Sequence, residues 1–247
     1  MRINADILAV LDQAEIQGNT LRLCGQLDRK VYEHTNKVLE AAGGKWNRKA
    51  KAHVFEGEAI DAIEAILLTG EVAMRRDFDD FPSPPAIVHR LIELAEIEPG
   101  MEVLEPSAGA GAIAKAISDT HAIVDCVELQ QRYANKLLDW FGVALVLHVG
   151  DFLALTPRPV YDRIVMNPPF RNQADIKHIT HALKFLKPGG KLTSVMSAGI
   201  TFRQNRLTND FRALLDVGKA HIEKNPDNAF KESGTLVSTV NIVIGNC

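Results

Sequence analysis

At 247 residues the chain is long enough for one full α/β core with a small extra domain. Its 46% hydrophobic and 24% charged residues are ordinary for a globular protein, and no apolar run reaches the length of a membrane span. A net charge of −3 excludes a uniformly basic nucleic-acid binder, yet it hides two basic stretches: seven Lys/Arg against three acids from Asp28 to His53, and eight against one from Arg163 to Arg206.

Residues 1–76 read as a separate small α+β domain. Ile3 to Ile16 has helical spacing, and Thr20 to Cys24 fits a short strand. Asp28 is placed to cap a helix running to about Ala42, with Val31, Val38 and Leu39 on one face and Gly43-Gly44 ending it. A basic turn follows, Lys45-Trp46-Asn47-Arg48-Lys49, then Lys51, a strand over Ala52 to Phe55 and a helix from Glu58 to Leu68. Trp46 can stack on a base or fill a small core, and the flanking Lys45, Arg48, Lys49 and Lys51 suit phosphates. Arg75 to Asp80 reads as a linker.

Residues 77–247 alternate strands with helices, the pattern of a doubly wound parallel sheet. A helix is expected from Ala86 to Ala95, and strands at Glu102–Glu105, Ile123–Val127, Leu145–Val149, Arg163–Met166 and Lys191–Met196. Two more follow, near Lys219 to Ile222 and from Leu236 to Ile244. With no helix between them, the last is expected to run antiparallel. The three cysteines, Cys24, Cys126 and Cys247, are odd in number and lack metal-ligand spacing. Together with a Met1-Arg2-Ile3-Asn4 start that lacks a secretory apolar region, they predict free thiols in a cytoplasmic protein and no metal site.

Chemistry concentrates at the strand ends. Asn167-Pro168-Pro169-Phe170 follows an apolar β-branched run, at the carboxyl edge where open α/β sheets bind ligands. Two prolines remove two N–H donors and hold the backbone extended. The Asn167 amide and the neighbouring carbonyls form a rigid acceptor pair for an exocyclic amino group, and Phe170 offers a flat face to a heterocycle. Glu105-Pro106-Ser107-Ala108-Gly109-Ala110-Gly111 ends the first strand of this domain and opens a helix. Its glycines permit close approach of backbone to ligand, and the Glu105 carboxylate suits a cationic or amino-bearing ligand better than a pyrophosphate. Glu128 could hold ribose hydroxyls. Asp151 could accept from an adenine amino group while Phe152 packs on the ring.

Assembled, these residues resemble the class I S-adenosylmethionine-dependent amino-methyltransferases, in particular the group of DNA adenine-N6 methyltransferases. Phe81-Pro82-Ser83-Pro84 is similar to that group's methionine-side motif, placed ahead of the glycine loop as in its gamma arrangement. Glu105 to Gly111 is similar to the cofactor loop, Glu128 and Asp151 to the ribose and adenine acids, and Asn167 to Phe170 to the catalytic tetrapeptide. Leu186 to Leu192 resembles a turn common to class I enzymes, and Ala229-Phe230-Lys231 the segment whose aromatic stacks on a flipped base. Residues 1–76 resemble the leading segment of solitary enzymes from phages and mobile elements.

The resemblance implies a seven-stranded Rossmann-like sheet with its last strand antiparallel, S-adenosylmethionine as cofactor and direct methyl transfer to adenine N6 in flipped-out DNA. It implies cofactor contacts by Phe81, Ser83, Pro84, the Glu105–Gly111 loop, Glu128, Asp151, Phe152 and Asn167. RNA methylation at guanine N2 or adenine N6 is the alternative, followed by protein glutamine methylation or a non-catalytic cofactor- or DNA-binding role. The large target-recognition domain usual after the last strand is not expected here, and nucleic-acid contacts are expected from Lys45, Trp46, Arg48, Lys49, Lys51, Arg171, Arg203 and Arg206.

Overall fold

The computed structural model describes residues 3–72, 82–142, 146–231, 233 and 237–245. The chain divides into two units, Met1–Asp77 with Ala198–Asn209, and Phe78–Ser197 with Asp210–Cys247. The segment Ala198–Asn209, expected within the second domain, therefore belongs to the first. The expected linker Arg75 to Asp80 lies outside the described residues.

In the smaller unit, α1 (Ala5–Asp12) begins at Asn4, whose side chain accepts from Ile7 N at 3.0 Å. It stops four residues before Ile16, where a helix was expected to end. Residues 15–17 are instead drawn into a hairpin: β1 (Glu15–Gln17) pairs with β2 (Thr20–Arg22) across a turn in which Gly18 has φ +55°. Asp28 caps α2 (Arg29–Ala41) through Lys30 N, as its sequence position suggests. Then come β3 (Lys45–Asn47), β4 (Ala52–Val54) and α3 (Ala59–Thr69). The antiparallel sheet has the order β1-β2-β4-β3. The sequence showed β3 only as a basic turn, because all three of its residues are exposed on a sheet edge and carry no apolar alternation. Gly44 is required by packing: a Cβ there would lie 2.7 Å from the Phe55 ring. The core joins Ile7 and Leu11 of α1, Val38 and Leu39 of α2, and Ile63 and Ile66 of α3, with Phe202 packed against it.

Phe202 comes from the returning segment, as does Arg203. Arg203 was expected to touch nucleic acid, and the structure corrects this. Its side chain is 3% exposed, with Nη2 3.2 Å from Glu64 Oε1 and Nε 3.6 Å from Asp12 Oδ1. A guanidinium buried between two buried carboxylates is held by the fold and does not reach a phosphate.

The larger unit contains α4 (Pro85–Ala95), β5 (Glu102–Glu105), α5 (Ala112–Ser118), β6 (Ile123–Glu128), α6 (Gln131–Phe141), β7 (Val146–Val149), β8 (Tyr161–Met166), α7 (Ala174–Ala182), β9 (Leu186–Ser197), α8 (Arg206–Val217) from Asp210 onward, β10 (His221–Lys224) and β11 (Thr239–Gly245). Leu145 and Leu236, expected at strand starts, lie outside the described residues. The seven strands are ordered β10-β11-β9-β8-β5-β6-β7. Pairing is parallel from β7 through β9, whereas β11 is antiparallel to both β9 and β10. This is a doubly wound Rossmann-like sheet. Central strands are covered on both faces, which is why β8 ends in the unbroken apolar run Ile164-Val165-Met166, each at 0% exposure. The expected Leu186–Leu192 turn is an outward bulge within β9, where the register with β8 shifts between Tyr161 and Arg163. No helix of the described residues is long and apolar enough to cross a membrane. Strand order reverses between β5 and β8, and at such a switch point the carboxyl ends part into a crevice.

Candidate active site

The crevice is a cavity of about 590 Å³. Its wall includes Pro106, Ser107 and Gly109 from beyond β5, Glu128 at the end of β6, Asp151 and Phe152 after β7, and Asn167 to Arg171 after β8. Residues far apart in sequence thus share one wall because four parallel strands end at one edge.

The glycine loop is tied down by Glu128. Its Oε2 accepts from Gly109 N and its Oε1 from Gln130 N, each at 2.7 Å. Ala108 N donates to Val127 O at 3.1 Å. Gly111 ends the loop at φ +86°, and a Cβ there would lie 2.6 Å from Leu137 Cδ2, so glycine is needed both for the turn and for α5 to approach α6. Glu105, Ala108 and Gly111 are buried behind the wall. Burial pushes the Glu105 carboxyl well above the usual carboxylate range, an Ala114 backbone hydrogen bond opposes this, and the Glu128 charge adds to it. Among the described residues, Glu105 Oε2 and Ser107 Oγ are buried without a hydrogen-bond partner. Buried polar atoms ordinarily have partners, and these two fit a bound molecule carrying an amino cation and hydrogen-bonding groups.

Asp151 sits exposed at the rim, with Oδ1 accepting from Leu153 N at 2.9 Å and capping the short turn Phe152–Ala154. Phe152 is buried, its ring centroid 5.0 Å from that of His181 and 5.9 Å from that of His178. Asn167 Nδ2 donates to Ser83 Oγ at 3.0 Å, which brings the expected methionine-side segment to the tetrapeptide. Pro84 precedes α4 and accepts from Ile87 N and Val88 N at 3.0 Å. Phe81 lies outside the described residues. Phe170 is 3% exposed and lines the cavity. Two residues further on, Asn172 (φ 54°) and then Gln173 (φ 56°) are both left-handed, a costly conformation for a glutamine that recurs at functional sites.

Sequence reasoning missed Gln130 and Tyr133 at the start of α6, and Ala174 and His178 on α7, all of which line the cavity. The spacing of 174 and 178 puts both on one helix face, a signal that only the position of the tetrapeptide makes readable. Burial lowers the His178 pKa against the pull of Asp151, so the ring is neutral near pH 7, and its Nδ1 is buried without a partner among the described residues. The structure corrects the expectation for Phe230. At 1% exposure it is one of the largest fully buried side chains. A base can stack only on an open aromatic face, so Phe230 is a core plug. Lys45, Trp46, Arg48, Lys49, Lys51 and Arg206 are all exposed.

Residues 89–221 match the family described as the methyltransferase small domain. The chain belongs to that family. The cofactor is S-adenosylmethionine, which the buried acceptors Ser107 Oγ, on the cavity wall, and Glu105 Oε2, behind it, fit. An rRNA methyltransferase of Streptomyces thermotolerans is 34% identical over 91 residues, 36% of this chain and 30% of that protein. The type II methyltransferase M.TthHB8I of Thermus thermophilus is 28% identical over 173 residues, 68% of this chain and 36% of that protein. The chain spans about a third of the length of these two curated relatives. TrmN from Thermus thermophilus has a similar fold, with a TM-score of 0.50 at 21% identity over 66% of this chain and 49% of that one.

Proposed function

We propose that this methyltransferase methylates the exocyclic amino group of a nucleobase, adenine N6, in RNA. The observation that carries the reaction class is the Asn167–Phe170 tetrapeptide on the same cavity wall as Glu128 and Asp151. S-adenosylmethionine, when bound, would supply an activated methyl on a sulfonium, the C–S electron pair staying on sulfur when the amine nitrogen takes the methyl. Glu105 would take the amino cation of the cofactor, Glu128 its ribose hydroxyls and Asp151 its adenine amino group, with Phe152 against the ring.

The chain's remaining task is to make a poor nucleophile react. An exocyclic amine lends its lone pair to the aromatic ring. Two acceptors on its N–H groups, Asn167 Oδ1 and the Pro168 carbonyl, pull the nitrogen toward tetrahedral geometry and localise that pair. The Ser83 bond commits the Asn167 amide nitrogen and so fixes which end of the amide is the acceptor. After transfer the nitrogen sheds its extra proton to solvent. A base paired in a helix must first be unstacked, at a cost of a few kcal/mol.

The rRNA methyltransferase among the relatives supports RNA as the substrate. The second reading, methylation of adenine N6 in DNA, is favoured by the order of the motifs, with Ser83-Pro84 ahead of the glycine loop. Incubation of RNA and of DNA with methyl-labelled cofactor, followed by mass analysis of the nucleosides, tests both. N6-methyladenosine from RNA is the expected product. N2-methylguanosine would move the target base, N6-methyldeoxyadenosine alone would establish the second reading, and label in protein only would overturn both.

A further inference from the structure

The β3–β4 hairpin of the smaller unit has features that the cavity does not use. Strand β3 is a sheet edge, with β4 as its one neighbour, and Lys45, Trp46 and Asn47 are all exposed. Edge strands are ordinarily blunted by charge. Here the central position carries a tryptophan that is 49% exposed. Trp46 is nevertheless held in place. Its cross-strand partner is the buried His53, whose ring meets it edge-on at 5.2 Å. The turn beyond is equally fixed: Asn47 Oδ1 accepts from Lys49 N and Ala50 N at 3.0 Å, and Arg22 Nη2 donates to Ala50 O at 3.1 Å.

The charge along this stretch of the chain has one sign. From Lys45 to Lys51 there are four cations and no acid. Lys45 lies 4.0 Å from Glu56, an ion pair in which both side chains are largely exposed and which therefore contributes little. Arg48, Lys49 and Lys51 have no ion pair among the described residues. An exposed aromatic braced by a neighbouring ring and flanked along the chain by cations matches a polyanion whose monomers carry flat rings. A duplex hides those faces in its stack and offers only edges. A single strand exposes them.

We infer that the β3–β4 hairpin is a binding platform for single-stranded nucleic acid, with a base stacked on Trp46 and the flanking phosphates on Arg48, Lys49 and Lys51. The platform rests on the proposal that nucleic acid is the substrate, and it adds strandedness: the chain takes hold of unpaired segments such as loops or ends.

The test uses the full chain without cofactor, so that it reads binding and not methyl transfer. The probes are a fluorescein-labelled 12-mer of thymidylate, an unstructured 12-mer RNA and a 12-base-pair duplex, with affinity followed against salt. Trp46→Ala should weaken binding of both single strands by about ten- to a hundredfold, while Trp46→Phe recovers most of it. Replacing Arg48, Lys49 and Lys51 by Gln should flatten the log–log salt slope by about 2, because each phosphate that is no longer neutralised removes roughly 0.7. In a Trp140→Phe background the single remaining tryptophan, Trp46, should be quenched by the single strands. Single-strand affinity that does not change in Trp46→Ala, or duplex binding with the same dependence on Trp46, would overturn the platform. So would failure to bind any of the three probes. Binding with the expected pattern alongside methyl transfer to protein only would instead overturn the proposed function and leave the platform standing.

Discussion

Replacing Glu105 by Gln separates what this buried acid does for the cofactor from what it does to the fold. The carboxyl is 1% exposed, Oε2 has no partner among the described residues, and its pKa is held well above the ordinary 4.5. A value raised in the folded state means that the group's contribution to stability is fully present below about pH 4.5 and is lost as pH rises through the folded value. The variant should therefore match the parent in acid and become more stable than it as pH rises, because it removes a charge that the interior resists. Cofactor binding should respond in the opposite sense. An amino cation beside Glu105 favours the ionised carboxylate, so binding to the parent must expel a proton, and affinity must rise with pH toward the folded pKa. A hydrogen bond to a charged group contributes about 1.5–3 kcal/mol, so the variant should bind S-adenosylmethionine roughly 10- to 150-fold more weakly where Glu105 would be ionised. Calorimetry in buffers of different ionisation enthalpy reads the proton directly. The parent should release up to about one, and the variant none. Equal affinity and no proton release in either protein would remove Glu105 from the site.

Asn167→Ala should leave cofactor affinity nearly unchanged while single-turnover methyl transfer falls by about a hundredfold or more, because Asn167 acts on the target amine; retained turnover would refute the assigned role. Asp151→Ala should weaken cofactor binding by about 1–3 kcal/mol in calorimetry, and an unchanged affinity would leave Asp151 as a turn cap only. Phe230→Ala should cost about 3–5 kcal/mol in denaturant unfolding, with little change in the fluorescence of 2-aminopurine at the target position; the reverse outcome would restore a stacking role. Arg203→Met should destabilise by about 3–5 kcal/mol, because it leaves Asp12 and Glu64 buried without their cation, and adding Asp12→Leu and Glu64→Met should recover much of the loss.

What the sequence made legible was local or periodic. Asp28 was readable as a helix cap because a side chain two residues from its target N–H is a local interaction, and β5 was readable over its full length because Val103-Leu104 lies between a Pro-Gly turn and a glycine loop. The acids at successive strand ends were legible as a set because a parallel sheet brings those ends together. Long-range facts were hidden. Nothing in Phe202-Arg203 announces that it will return to the smaller unit, since the partners of Arg203, Asp12 and Glu64, lie 191 and 139 positions earlier. Phe230 sits among polar residues, where an aromatic reads as a surface feature, and only the packing of the chain around it shows it to be enclosed. His178 lacked a motif altogether and became visible through the cavity that it lines.

The reversal of strand order also divides the labour of the site. Strands β5, β6 and β7 lie in sequence order on one side of the switch point, and their ends carry Glu105, Glu128 and Asp151. That half presents carboxylates in a row, suited to a ligand with a cationic centre, hydroxyls and an amino group. Strand β8 starts the other half and presents an amide, two prolines without N–H groups, an aromatic and then Arg171, with no acid before Asp175. Asp175 is itself turned inward, accepting from Ser197 N at 2.9 Å to pin α7 to the end of β9. Under the proposed function, methyl donor and acceptor amine would be sorted by charge before they meet, the cation toward the acidic half and the polyanion toward the half that carries Arg171. The crevice between β5 and β8 is where the two halves converge, and a direct transfer between two bound groups needs nothing more from the fold than that their reacting atoms be brought together there.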